Sequence, residues 1–382
     1  MPAAAAAMNL IVNRTNTQYS LCKLTALSMS RLAKILLVLA VLSGCAWTEY
    51  LYDDGLGTSW VHVAVRNWQH VGFFKLHGQI VSNPGGFEAT TNPDIYPGMS
   101  PVCLYPVFIA AQLFAWTGLG TLSFQILLAA VVFWAIWRLL GRDGFAFLLA
   151  AVAVICPGYS RWLNILDPNV ITVVLGLPYI TIVIATLTRP RIGFIAFAGL
   201  LVLTLAFLSL NWTTVWVLGP CSLLLLGLPQ ISRRAVISFI AVTGASSLLF
   251  VVGSVIIKAG HNHAGSGGGL LLFLRGYTWG AIGYGLGLTT VTAFARLAVV
   301  NGIGLLPLIL LGGWEAKKYF HPVELKSWLA ISPFALTLAE IGFMRNYFGH
   351  HPWMAGPLLL VGIIFSLVLL RTRDVNPAAI TV

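Results

Sequence analysis

Two adjacent carboxylates, Asp53 and Asp54, stand just beyond an apolar run that covers residues 32–48. Like charges this close repel, and burial raises a carboxylate pKa further, so one of the pair could serve as a general base. The same two acids also read as solvated residues that mark the end of a span, and spacing leaves both readings open. Two other segments gather cations and imidazoles. Lys258, His261 and His263 open a glycine-rich stretch that runs to Gly269. A His-x-His there could hold a metal ion or a phosphate, but it lacks further ligands at zinc-site spacing and reads equally as a plain loop. Met344 to Trp353 places Arg345, His350 and His351 among aromatics. The plainer reading of that segment is a Glu340–Arg345 ion pair beside an interfacial anchor.

The elements that must position these groups follow from composition. The chain has 382 residues, 58% hydrophobic and only 9% charged. A soluble domain carries about 25% charge, so this chain could not cover a water-facing surface. Ten apolar runs are long enough to cross a bilayer at about 20 residues each. They cover 32–48, 122–140, 144–160, 168–188, 192–209, 212–229, 235–257, 296–314, 327–343 and 353–370. The expected fold is an all-α polytopic membrane protein of about ten transmembrane helices. Five scattered cysteines argue against a disulfide framework.

Charge orients the spans. One set of loops holds fifteen of the 22 basic residues, among them Arg138, Arg142, Arg233, Arg234, Lys317, Lys318 and Arg371, with four acids, Asp143, Glu315, Glu324 and Asp374. The other set holds seven basic residues and seven acids. The whole net charge of +11 therefore falls on one side, and basic loops stay in the cytoplasm. Both termini are expected inside, and the charge needs no nucleic-acid partner. The assignment requires that the apolar run 101–117 does not complete a crossing. Pro97, Pro101 and Pro106 fit a juxtamembrane or re-entrant helix on the outer face. Ahead of it, apolar positions 60, 61, 64, 65, 68 and 71 recur at helical spacing. That pattern predicts an amphipathic helix in the interface, its tryptophans at headgroup level.

Several of these segments together resemble the membrane glycosyltransferases of the GT-C fold, such as the protein mannosyltransferases and the aminoarabinose transferase. The residues that carry the resemblance are Asp53, Asp54, Val65-Arg66-Asn67, Gly72-Phe73, Asn83-Pro84-Gly85 and Ser100-Pro101 through Tyr105-Pro106, with Pro157 to Arg161 and Ile165 to Pro168. The likeness covers roughly residues 30–190; the second half is similar in character only. It departs from the family at Gly55, where a larger residue is common, and in the helix after Asp54, which lies about one turn further along than in some relatives. The resemblance implies transfer of a sugar from a polyprenyl-phosphate donor, on the extracytoplasmic face of the cytoplasmic (inner) membrane, with inversion. It implies Asp53 or Asp54 as the base. Asp167 would orient the acceptor or hold a divalent metal, shared in that case with Asp53. The leaving lipid phosphate needs cations or backbone donors, and Arg345, His350, Lys258, His261 and His263 are the candidates on the same face.

The expected organisation is a cytoplasmic tail over 1–30 and a GT-C-like catalytic module over 31–190 with its outer loop at 49–121. Variable transmembrane helices follow over 191–372, with an outer loop at 259–295, and then a tail over 373–382. The acceptor is expected to be a lipid, glycan or protein at the membrane. The competing function is a transporter or flippase for a lipid or small solute. Against it, paired interrupted helices are missing and few polar residues fall inside the runs. Leu42-Ser-Gly-Cys45 also fits a lipoprotein cleavage site. Small residues before a cysteine are common in spans, so the run 32–48 is read as a span.

Overall fold

The structure is a computed structural model that describes residues 56–81, 83, 87–91, 93, 101–113, 118–155, 168–189, 193–210, 214–261, 305–343 and 355–373. The described residues contain helices and turns and no strand. A small helical unit comes first. Helix α1 (Leu56–Asn67) runs into a π-helical turn, Trp68–Gly72. A short α2 (Phe87–Thr91), a 3-10 turn (Pro101–Leu104) and α3 (Tyr105–Leu113) follow. The remainder is a bundle: α4 (Gly118–Leu139), α5 (Gly144–Ile155), α6 (Pro168–Leu187), α7 (Phe194–Leu210), α8 (Thr214–Gly227) and α9 (Arg233–His261). A helix over 305–319 is α10; α11 (Leu325–Ala330), α12 (Ser332–Phe343) and α13 (Ala355–Arg373) complete it.

The apolar stripe of α1 forms as the spacing predicts, and its inner positions pack on protein. Val61, Ala64, Val65 and Trp68 are buried against Leu104, Val107 and Ala111 of the 3-10 turn and α3. Trp68 is only 1% exposed. The unit therefore has a core of its own, and Trp68 is held by protein on its apolar faces. Helix α3 has nine residues. At about 1.5 Å per residue it reaches under half the thickness of a bilayer core; residues 114–117 of the run lie outside the described residues.

Helix α13 is central to the bundle and packs on α12, α8, α6 and α11. Its segment Ala355–Thr372 has mean hydropathy 2.0 and is, among the described residues, the one helix long and apolar enough to cross a membrane; 83% of it is buried in the bundle. Several hydroxyls within these apolar helices are satisfied locally. Thr181, Thr204, Ser222 and Ser247 each donate to the carbonyl four residues back, at 2.7–2.8 Å. Glycines set how closely the helices approach. A Cβ on Gly176 of α6 would lie 2.4 Å from Cγ1 of Val217 in α8, so the Val217 side chain packs directly on the α6 backbone there.

The run 327–343 is not one continuous helix. It breaks at Ile331, between α11 and α12, where φ is −89° and ψ is 1°. Pro333 accounts for the break: its ring clashes with the carbonyl of Leu329 and it offers no N–H to continue the ladder. The freed N–H of Phe334 is taken up by Ser366 Oγ of α13 at 3.1 Å.

Candidate functional site

The helical unit that follows the aspartate pair is locked by two side-chain donors. Asn67 is fully buried. Its Nδ2 donates to the carbonyls of Val81 at 2.9 Å and Asn83 at 2.8 Å. Both bonds use the amide nitrogen, which fixes the orientation of the side chain and leaves Oδ1 without a partner. Next to it, Trp68 Nε1 donates to the carbonyl of Gln79 at 2.7 Å. The indole also meets Phe73, Tyr105 and Phe108 with ring centroids 5.4, 5.8 and 5.6 Å away. Phe73 stacks on Phe108 at 5.1 Å. Residues 73–81 and Asn83 are thereby folded back against the end of α1, and α1 is held on α3.

The turn that makes this possible needs unusual backbone. Gly72 and Gly78 have φ of +110° and +64°, and His77 has φ of 51°. A Cβ on Gly78 would lie 2.8 Å from the Tyr105 hydroxyl and 3.0 Å from Phe73 Cζ. Both the dihedral and the space call for glycine.

Most of the residues expected to do chemistry lie outside the described residues. Asp53 and Asp54 fall outside the described residues, and only Gly55 separates them from Leu56, the first residue of α1. Asp167 is also outside, and α6 begins at the next residue, Pro168. The 3-10 turn of the first unit packs against α6 and α7. Arg345, His350 and His263 lie outside the described residues, as does any metal shared by Asp53 and Asp167. Lys258 and His261 belong to the last turn of α9 by their backbone.

A second polar constellation was not expected from spacing. Arg371 near the end of α13 donates to the Leu140 carbonyl at 2.7 Å and to the Asp143 carboxylate. Its Nε is 3.5 Å from Glu315 Oε1 of α10, and Glu315 also pairs with Lys318 at 2.6 Å. Asp143 in turn caps α5 by accepting from the N–H of Ala146 at 2.7 Å. Lys318 sits 4.1 Å from the ring centroid of Trp314, and Arg371 5.5 Å from that of Phe145. The charge count had put all four ionic groups on one side; their pairing depends on which turns the bundle brings together.

A third feature lies between α8 and α12. Glu340, three residues before the end of α12, has a buried Oε2 with no hydrogen-bond partner. Its Oε1 would be 3.2 Å from a Cβ placed on Gly219 of α8.

No known protein family matches this chain, and neither does any curated protein or solved structure.

Proposed function

We propose that this chain is a polytopic membrane glycosyltransferase of GT-C type, taking sugar from a polyprenyl-phosphate donor on the extracytoplasmic face of the cytoplasmic membrane. The observation that carries the reading is the placement of Asp53-Asp54 one residue ahead of α1, a helix whose far end is anchored by Asn67 and Trp68. An acid pair tethered to a fixed helix is suited to proton abstraction, because a base must be held within hydrogen-bond reach of its proton. The charge asymmetry puts that pair, Asp167, the Lys258–His263 stretch and the Arg345–His351 segment on one side of the membrane. The ten apolar runs of the sequence would make the crossings, and α13, whose segment Ala355–Thr372 is long and apolar enough to span a bilayer core, supports that reading.

In the proposed reaction the acceptor hydroxyl gives its proton to Asp53 or Asp54 as its oxygen bonds to the anomeric carbon. The bond from that carbon to the phosphate oxygen breaks, and its electron pair leaves with the lipid phosphate. Arg345, Lys258, His261, His263 and His350 supply the cations and donors that receive the phosphate. Attack from the face opposite the leaving group inverts the anomeric centre. Asp167 orients the acceptor, or holds a divalent ion together with Asp53. The acceptor is a lipid, glycan or protein at the membrane.

The test compares the sugar composition of envelope glycolipids and glycans in cells with the chain, without it, and with Asp53→Asn, Asp54→Asn or both. Loss of a general base costs about 10²- to 10⁴-fold in rate, so the sugar present with the intact chain disappears in at least the double variant while membrane insertion is retained. Unchanged sugar transfer in both single variants and in the double variant refutes the assignment.

A further inference from the structure

We infer that Glu340, half-buried with its Oε2 fully enclosed, is an acceptor for the hydroxyl groups of a sugar headgroup that enters between α8 and α12, an inference that rests on the lipid-linked-sugar reading above. Three observations carry it. First, Oε2 of Glu340 is buried without a partner. A carboxylate oxygen taken out of water is costly unless a donor meets it, and such groups inside membrane bundles mark ligand sites by default. Second, the facing helix offers Glu340 only a weak donor, the buried thiol of Cys221, which is near enough to feel its charge. The position opposite Glu340 on α8 is Gly219, which has no side chain, and the neighbouring contact on α12 is the apolar Leu336. Glycine also lets α8 approach closely, so the carboxylate is framed largely by backbone and hydrocarbon.

Third, the position suits a headgroup. Glu340 lies three residues from the end of α12 and Gly219 five residues from the start of α8. At about 1.5 Å per residue, the carboxylate sits some 5–8 Å in from the bundle end that the charge count turns outward. A carboxylate offers two oxygens to donors on adjacent carbons, the arrangement of neighbouring sugar hydroxyls, and charge-assisted bonds of this kind are the strong ones.

The experiment uses the full chain in lipid nanodiscs and a hydrophobic carbodiimide, with the adduct on Glu340 read by mass spectrometry. The probes are polyprenyl phosphates bearing single hexoses or pentoses, the bare polyprenyl phosphate, and sodium or potassium chloride. Glu340 is expected to be labelled in the unliganded protein. At least one sugar-bearing lipid is expected to slow labelling by about tenfold or more, the size supported by hydrogen bonds to a charged group, while the bare lipid phosphate and the salts leave it unchanged. Glu340→Gln, checked for a monodisperse elution profile, should bind that sugar lipid roughly tenfold more weakly and the bare lipid phosphate as before.

Absence of labelling overturns the inference, as does equal protection by the bare phosphate or by salt alone, which would make this a cation site. Failure of every sugar lipid to protect overturns it too. The two proposals fail separately. If the aspartate variants abolish transfer and no sugar lipid protects Glu340, only this inference falls. If those variants keep full transfer and a sugar lipid still protects Glu340, only the base assignment falls.

Discussion

Arg371 donates a 2.7 Å hydrogen bond to the carbonyl of Leu140, 231 positions earlier in the chain. The same guanidinium meets Asp143 and stands 3.5 Å from Glu315. The end of α13, the α4–α5 turn and α10 are thus tied through one side chain, and Glu315 at its centre is only 2% exposed. Removing one partner of a buried ion pair costs about 3–5 kcal/mol because the other charge stays behind.

Arg371→Met tests that tie. Lys318 still reaches Glu315 but is itself about half exposed, so the expected loss is reduced to about 2 kcal/mol. The melting temperature of the purified protein in detergent should fall. Adding Glu315→Gln to the same chain should recover most of the loss, since the stranded carboxylate is then gone. A melting curve for Arg371→Met that overlays the parent would show that the cluster contributes nothing to stability.

Asn67 should matter through the carbonyls that it satisfies. Asn67→Leu strips the Val81 and Asn83 carbonyls of their donor, and Asn67→Asp removes the donor and adds a charge at a fully buried position. Leaving a buried acceptor unmade costs about 1–3 kcal/mol. Both variants should speed limited proteolysis within residues 72–93, Asp more than Leu. Cleavage at the parental rate would mean that Trp68 and its aromatic neighbours hold the segment alone.

Gly78 is the other lock on that segment. Gly78→Ala forces a side chain into φ +64° and against the Tyr105 hydroxyl. The combined strain is about 1–3 kcal/mol. The variant should quench less of the Trp68 fluorescence by its neighbours and open the same proteolytic sites as Asn67→Leu. Gly193→Ala, which meets nothing within 4 Å, serves as the neutral control.

The helical periods were legible because apolar runs and apolar stripes are local properties. The bounds of α6, α7 and α8 fall within two residues of the runs read from the sequence. What covers a stripe is not local: positions 61, 64, 65 and 68 predict a buried face equally well for a lipid surface and for Leu104 and Val107. The break at Ile331 was within reach, since Pro333 announces it, but the hydropathy of the run masks a single ring. The Arg371–Asp143–Glu315 contacts were not within reach, because three separate turns must converge before those charges meet. Asp53, Asp54 and Asp167 stand out by residue type and motif alone; they lie outside the described residues, next in sequence to α1 and α6.

The close packing of α12 on α13 rests on Gly362. A Cβ there would lie 2.5 Å from Thr337 Oγ1 and 3.0 Å from the Cα of Phe334, and a backbone atom cannot rotate away. Gly362→Ala must push α13 off α12, disturbing the Ser366 bond to the Phe334 N–H and the frame around Glu340 in the same helix. Overpacking of this kind costs about 1–3 kcal/mol. In α7, a Cβ on Gly199 meets nothing within 4 Å, so Gly199→Ala should be neutral or stabilising by about 0.5–1 kcal/mol from helix propensity alone. Thermal unfolding of the two variants should therefore move in opposite directions. If both shift alike, the helix–helix contact at Gly362 does not limit stability and α13 has room to move against α12.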